Sequence, residues 1–207
     1  MTQASIRIVK TIAAGTGYEQ LRGMARPSLH QEPHGATAIA RHYIRDLIYG
    51  ANDGLITTFA VVAGVSGGAL SARAVIIIGV ANLAADGLSM GVGNYLSIRS
   101  HESARAAQGL MEEEASPARH GVATLLAFVV AGSIPLVPYL LPSLDHSAVV
   151  SLVLTFTALF GIGALRSLVT VDRWWTAGLE MLGLGFAVAV AAYAAGAMAA
   201  RFVPGIG

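Results

Sequence analysis

Two aspartates in the first long apolar segment of the chain could do chemistry inside a membrane. Asp46 and Asp53 are seven residues apart, which puts both on one face of a helix, together with Gly50 and Thr57. If the helix enters the membrane near Asp46, Asp53 lies roughly 10 Å deeper at about 1.5 Å per residue. A carboxylate at that depth costs ~2.5–3.5 kcal/mol even on a lenient scale, so we expect it to face protein or water and to be functional.

Each aspartate also has a purely structural interpretation. Asp46 could pair with Arg41, Arg45 or lipid headgroups at the membrane edge, and Asp53 could form a hydrogen bond to a neighbouring helix. These alternatives stay open at the level of the sequence.

A second polar stripe runs along the next apolar segment. Polar or thioether side chains recur there every four residues, at Asn82, Asp86, Met90 and Asn94. A short connection joins the two segments, so we expect an antiparallel hairpin. Counting inward from the polar end of each segment puts Asp53 and Met90 at one level, with Asp86 one turn deeper and Asn94 one turn shallower.

These side chains would together suit a divalent cation. Carboxylates alone favour Mg²⁺ or Ca²⁺, and a thioether beside them shifts the preference towards Fe²⁺, Mn²⁺ or Co²⁺. The predicted metal ligands are Asp46, Asp53, Asp86 and Met90, although a methionine in a membrane helix can simply pack. A buried carboxylate also binds protons, and metal binding needs its deprotonated form. The site therefore has the chemistry for exchanging a divalent cation against protons.

The composition indicates that the elements carrying these groups are membrane helices. The chain has 207 residues, of which 55% are hydrophobic and 12% charged, and its mean hydropathy is +0.64. A soluble domain usually has about twice that charged fraction. The net charge of +1 gives no support for a nucleic-acid partner, and the absence of cysteine excludes disulfides and thiolate metal sites.

Five segments are long and apolar enough to span a bilayer. We predict an all-α integral membrane protein with spans at about 46–70, 74–98, 119–142, 147–170 and 177–200. A cytoplasmic arm over residues 1–43 would precede a transmembrane domain over 44–202, and a short cytoplasmic loop would occupy 99–118. Of the thirteen basic residues, all but Arg73 and Arg201 then lie on one side, which predicts a cytoplasmic N-terminus.

Three segments resemble the vacuolar iron transporter family. Arg45-Asp46 with Gly50 and Asp53-Gly54-Leu55 resemble the first span of that family. The chain as a whole resembles a short, bacterial-type member. The run from Asn82 to Met90, with Asn94-Tyr95-Leu96-Ser97, is similar to the second span, and Gly132 to Tyr139 resembles the third.

The resemblance implies a homodimer of five-helix protomers in a lipid bilayer, here a bacterial inner membrane. It implies transport of Fe²⁺, often also Mn²⁺, out of the cytoplasm in exchange for protons, with no tightly bound cofactor. The implied path lies between protomers and is lined by the first two spans, at positions matching Asp46, Asp53 and Met90. Close-packing glycine pairs, Gly50/Gly54 and Gly87/Gly91, also favour a dimer.

The sequence departs from the plant members of that family in two places. They have a Glu where this chain has Asn82, and a Gly where it has Asp86, so Asp86 could supply the missing carboxylate. They also carry a helical metal-binding domain where this chain has only 99–118. Acidic residues in that loop are either a solvated run or a weak metal-collecting patch; they are Glu102, Glu112, Glu113 and Glu114.

The sequence also bears on two other classes of function. A membrane scaffold or metal sensor that signals through the N-terminal arm is the alternative, because the cytoplasmic domain is missing. An enzyme is disfavoured, because the sequence has no HExxH motif and no serine–histidine arrangement at membrane depth.

Overall fold

The computed structural model describes residues 34–141, 146–168 and 170–202. Within those ranges the chain is helical and has no strand. Its helices are α1 (Ala36–Gly67), α2 (Ala72–Ala107), α3 (Pro117–Ser133) with a 3-10 helix (Ile134–Leu140), α4 (Ser147–Arg166) and α5 (Trp174–Phe202). In the described part, five helical stretches are long and apolar enough to cross a membrane. The prediction of an all-α membrane protein with five spanning helices is confirmed.

The helices extend beyond the apolar spans at the end where the polar residues cluster. Helix α1 begins at Ala36, ten residues before the predicted span, and α2 continues to Ala107, into the predicted 99–118 loop. Hydropathy detects only the part of a helix that lies in hydrocarbon, whereas backbone hydrogen bonding continues into water. Most of the arm predicted over 1–43 lies outside the described residues.

Prolines end the third α-helix before the span is complete. Helix α3 stops at Ser133, and the chain continues as a 3-10 helix that contains Pro135 and Pro138. Proline lacks the N–H that an α-helix requires, so the tighter 3-10 form replaces it. The hydroxyl of Ser151 in α4 donates to the carbonyl of Pro135 at 2.6 Å and fastens this segment to the next helix.

Helices α1 and α3 run parallel and touch through their backbones. A Cβ added at Gly50 would lie 3.2 Å from the backbone nitrogen of Phe128, and one added at Gly54 would lie 3.0 Å from its Cα. Helix α2 packs against α3 in the same way, since a Cβ at Gly91 would lie 2.9 Å from the carbonyl oxygen of Gly121. The close approach expected of these glycines therefore occurs within one chain, and they no longer argue for a dimer.

The remaining helices pack against the other sides of α1. The rings of Phe59 in α1 and Phe156 in α4 meet edge to face at 5.7 Å. Helix α5 approaches the C-terminal end of α1, where Gly196 lies against the backbone of Gly64. Large apolar side chains stay exposed on the far faces of α2 and α5, among them Leu88 (57%) and Phe186 (62%). Such faces suit contact with acyl chains.

Candidate functional site

Helices α1 and α2 bring two carboxylates together at membrane depth. Gly54 of α1 and Gly87 of α2 both pack against Phe128 of α3, so residues 53–54 and 86–87 lie at one level. Asp53 and Asp86 are both partly exposed, and they are close enough for their charges to interact. We call this pair the acidic pair.

The acidic pair lacks the hydrogen bonds that normally accompany buried charges. Within the described residues no donor reaches either carboxylate; only the backbone carbonyl of Asp53 is engaged, accepting from the Thr57 hydroxyl at 2.8 Å. Two amide atoms nearby in sequence, Oδ1 of Asn52 and Nδ2 of Asn82, are buried with no partner in the described part of the chain. Unpaired like charges in a low-dielectric layer are unfavourable, so a cation or a proton between them would be stabilising.

Met90 lies one turn from Asp86 on α2 and packs against an apolar cluster that includes Leu83 and Phe128. Asp53 is therefore level with Asp86. The estimate from the hairpin had placed it level with Met90. That estimate counted both helices from an assumed common membrane edge. The actual register is set by the glycine contacts with α3, which shift it by about one turn.

Asp46 is not part of the acidic pair. Its side chain is only 3% exposed and is held by two donors. The Asn94 amide donates to Oδ1 at 2.8 Å, and Nδ1 of His120 lies 2.5 Å from Oδ2. Asn94 also contacts the Thr124 hydroxyl at 2.8 Å. Asp46 and Asn94, both predicted near the metal, thus tie α1, α2 and α3 together at one end.

His120 is the residue that sequence reasoning missed. It lies just inside the third span, four residues after Ser116, and is 5% exposed. A histidine in the first turn of a membrane helix is a signal of the same kind as Asp46, because burial of a titratable group needs a partner. The sequence does not show that α3 packs beside α1, so the partner was not found.

The acidic residues after the second span belong to a separate compact unit, Ser100–Ala115. The carboxylate of Glu102 is 6% exposed and accepts backbone N–H groups of Glu113 and Glu114 at 3.0–3.3 Å. The guanidinium of Arg105 lies 3.0 Å from the Glu113 carboxylate. Glu102 therefore folds this loop back onto the end of α2. Glu112 and Glu114 are half-buried in the same unit.

Five spanning helices with an acidic pair between the first two define a polytopic membrane protein with a polar site at membrane depth. A sequence profile described as the VIT family matches residues 44–113 and 101–197. The chain belongs to the VIT family, so the resemblance to vacuolar iron transporters is confirmed.

Similarity over most of the chain extends to plant proteins. "Vacuolar iron transporter 1" of Arabidopsis thaliana is 28% identical over 222 residues, which cover 79% of this chain and 88% of that protein. "Vacuolar iron transporter 2" of rice is 27% identical over 79% of this chain and 89% of its own length. A Toxoplasma gondii "Vacuolar iron transporter" is 38% identical over 84 residues, 41% of this chain and 27% of that protein.

The matches also indicate where this chain is shorter than its plant relatives. The alignment with the Arabidopsis protein is 222 residues long, more than the 207 residues of the whole chain, so the relative carries residues with no counterpart here. The two stretches matched by the family profile meet at 101–113, within the connection between α2 and α3.

Proposed function

We propose that this protein is a proton-coupled transporter of divalent transition metals, Fe²⁺ or Mn²⁺, that exports them from the cytoplasm for metal homeostasis. The observation that carries the proposal is the acidic pair, Asp53 and Asp86, without hydrogen bonds in the described part of the chain. Membership of the VIT family supports the same conclusion, since several of its relatives are named as iron transporters. The role of transporter leaves no need for a catalytic site.

The acidic pair would couple metal to protons by competition. A divalent cation binds when both carboxylates are deprotonated, and protons that reach the pair displace it. Each arriving proton removes about half of the charge that holds the metal. Movement of metal in one direction would then drive protons in the other. Met90, one turn along α2, could add a thioether contact that favours a softer ion over Mg²⁺.

The transporter would act as a homodimer with its N-terminus in the cytoplasm. Two helices leave the acidic pair open on one side, and a second copy related by a two-fold axis would enclose it and double the ligands. Basic residues are in excess at the N-terminal end of α1 and at the C-terminal end of α2, which supports a cytoplasmic N-terminus. We propose the bacterial inner membrane as the location; the relatives named above are described as vacuolar.

Flux across reconstituted vesicles tests the proposal. Wild-type protein in proteoliposomes with an acidic lumen should take up Fe²⁺ or Mn²⁺ and release protons outward. Loss of one carboxylate, in Asp53→Asn or Asp86→Asn, should lower the flux about 10–100-fold, because a charged ligand is worth ~1.5–3 kcal/mol. The matched control is Asp172→Asn, since that carboxylate is 51% exposed at the turn between α4 and α5.

The outcomes separate transport from the alternative. Undiminished flux in both Asp53→Asn and Asp86→Asn would contradict the proposal. Metal binding without flux in the wild-type protein would favour a sensor or scaffold instead. Deleting residues 1–33 should leave a transporter active but silence a sensor that signals through its arm.

A further inference from the structure

A histidine on α3 is oriented by a buried carboxylate on α1. The Nδ1 atom of His120 lies 2.5 Å from Oδ2 of Asp46, and both side chains are more than nine-tenths buried. A carboxylate can only accept, so Nδ1 carries the hydrogen, and in a neutral imidazole the lone pair is then on Nε2. Carboxylate–histidine pairs of this form orient the histidines that bind metals in proteins.

A second histidine lies beside the first. His42, half-buried one turn before Asp46 on α1, has its ring centroid 5.0 Å from that of His120. Ring nitrogens of the two histidines come within 4.8 Å of one another. One ion bound at about 2.0–2.1 Å from each nitrogen holds them roughly 3–4 Å apart. The two rings therefore lie near the separation that one ion requires.

The surroundings of His120 fix the position of its ring. The ring of Tyr43 packs at 4.8 Å from His120 and at 4.7 Å from His42. Asn94 holds the other oxygen of Asp46 at 2.8 Å, so the carboxylate that orients His120 is itself oriented. His120 is therefore a pre-oriented ligand.

We propose that His42 and His120 form a second divalent-metal site, with Asp46 as the positioning residue for His120 and not as a ligand. Imidazole nitrogens suit Fe²⁺, Zn²⁺ and other transition metals and disfavour Mg²⁺ and Ca²⁺. Two imidazole nitrogens fill only part of an ion's coordination shell, so the ion can exchange. His42 lies about three turns before Asp53 on α1, and the site would load the acidic pair with metal. That loading role rests on the proposed function, whereas metal binding by the two histidines does not.

Nitrogen ligation of Mn²⁺ tests the site directly. The full chain is purified without a histidine tag, Mn²⁺ alone is added, and pulsed electron paramagnetic resonance records the modulation from imidazole ¹⁴N. Wild-type protein should show this modulation, and His42→Ala and His120→Ala should each weaken or abolish it. His146→Ala is the matched control, because that exposed histidine lies in the turn before α4. Asp46→Asn should keep the modulation and weaken Mn²⁺ binding about 10–100-fold.

Each result bears on one claim. Modulation that is absent in the wild type, or that persists in both histidine variants, would overturn the site. If His120→Ala does not fold, His42→Ala gives the same readout at a half-buried position. Asp53→Asn should retain the modulation while losing flux. Full flux in both Asp53→Asn and Asp86→Asn, together with loss of the modulation in His42→Ala, would refute the proposed function and leave the histidine site standing.

For the loading role, half-maximal flux in His42→Ala should require about tenfold more metal, with the maximal rate little changed. An unchanged metal dependence, with the modulation lost, would show that the histidine site does not load the acidic pair.

Discussion

Substituting Gly54 by alanine should separate α1 from α3. The added Cβ would lie 3.0 Å from the carbonyl carbon and the Cα of Phe128, and closer still to its oxygen. Comfortable carbon contacts are about 3.5–4.0 Å, so the helices must move apart by roughly half an ångström or more. The obstacle is backbone, which no change of rotamer can move. Overpacking of this kind costs about 1–3 kcal/mol.

The alanine also favours helix by about 0.5–1 kcal/mol over glycine, and a control has to remove that gain. Gly183 in α5 provides it, because a Cβ there meets nothing within 4 Å. The difference between Gly54→Ala and Gly183→Ala then reports the clash alone. At 2–4 °C per kcal/mol for a chain of this size, Gly54→Ala should melt about 2–12 °C below the control.

Thermal loss of helical circular dichroism, for the full chain in one detergent at one scan rate, measures this difference. Equal melting temperatures for the two variants would refute the backbone contact between α1 and α3. The register that puts Asp53 level with Asp86 would then be refuted as well.

Two further changes test other contacts. Asn94→Ala removes the amide that binds Asp46 and leaves a buried carboxylate short of a donor, so stability in detergent should fall by about 1.5–3 kcal/mol; a loss below ~0.5 kcal/mol would show that the hydrogen bond contributes little. Arg166→Met removes an ion pair with Glu180, whose side chain is 57% exposed, so the same melting assay should change by less than about 1 kcal/mol, and a larger loss would contradict a solvent-screened pair.

The sequence predicted the five spans because a spanning helix must satisfy its own backbone and present apolar side chains to lipid. It also predicted that polar groups of the first two spans would face each other, with Asp53 level with Met90, since a short connection forces an antiparallel hairpin. The level at which they meet was wrong by about a turn. Register in a membrane hairpin depends on a third helix, here α3, whose glycine contacts no local pattern reveals.

The glycine pairs show the same limit. Gly50 and Gly54 predicted that α1 could approach another backbone closely, and it does, against Phe128 of α3. A stripe of small residues indicates that another backbone can approach this surface closely, but it does not indicate which helix does so. The dimer remains a prediction.

His120 could not be assigned from sequence for a related reason. Its partner Asp46 is 74 residues away in the chain, and the two meet only because α1 and α3 run parallel. In the sequence, His42 falls within the polar arm of residues 1–43. Only the extension of α1 back to Ala36 puts it on the same helix as Asp46.

The position of bound metal tests the central claim most directly. Anomalous scattering from Mn²⁺ in crystals of the full chain locates the ion without reference to any assumed ligand. The account predicts density within about 2.0–2.6 Å of carboxylate oxygens from both Asp53 and Asp86, the range of metal–carboxylate bonds. Density at full metal loading that contacts neither carboxylate, or an acidic pair that turns to the acyl chains, would contradict it.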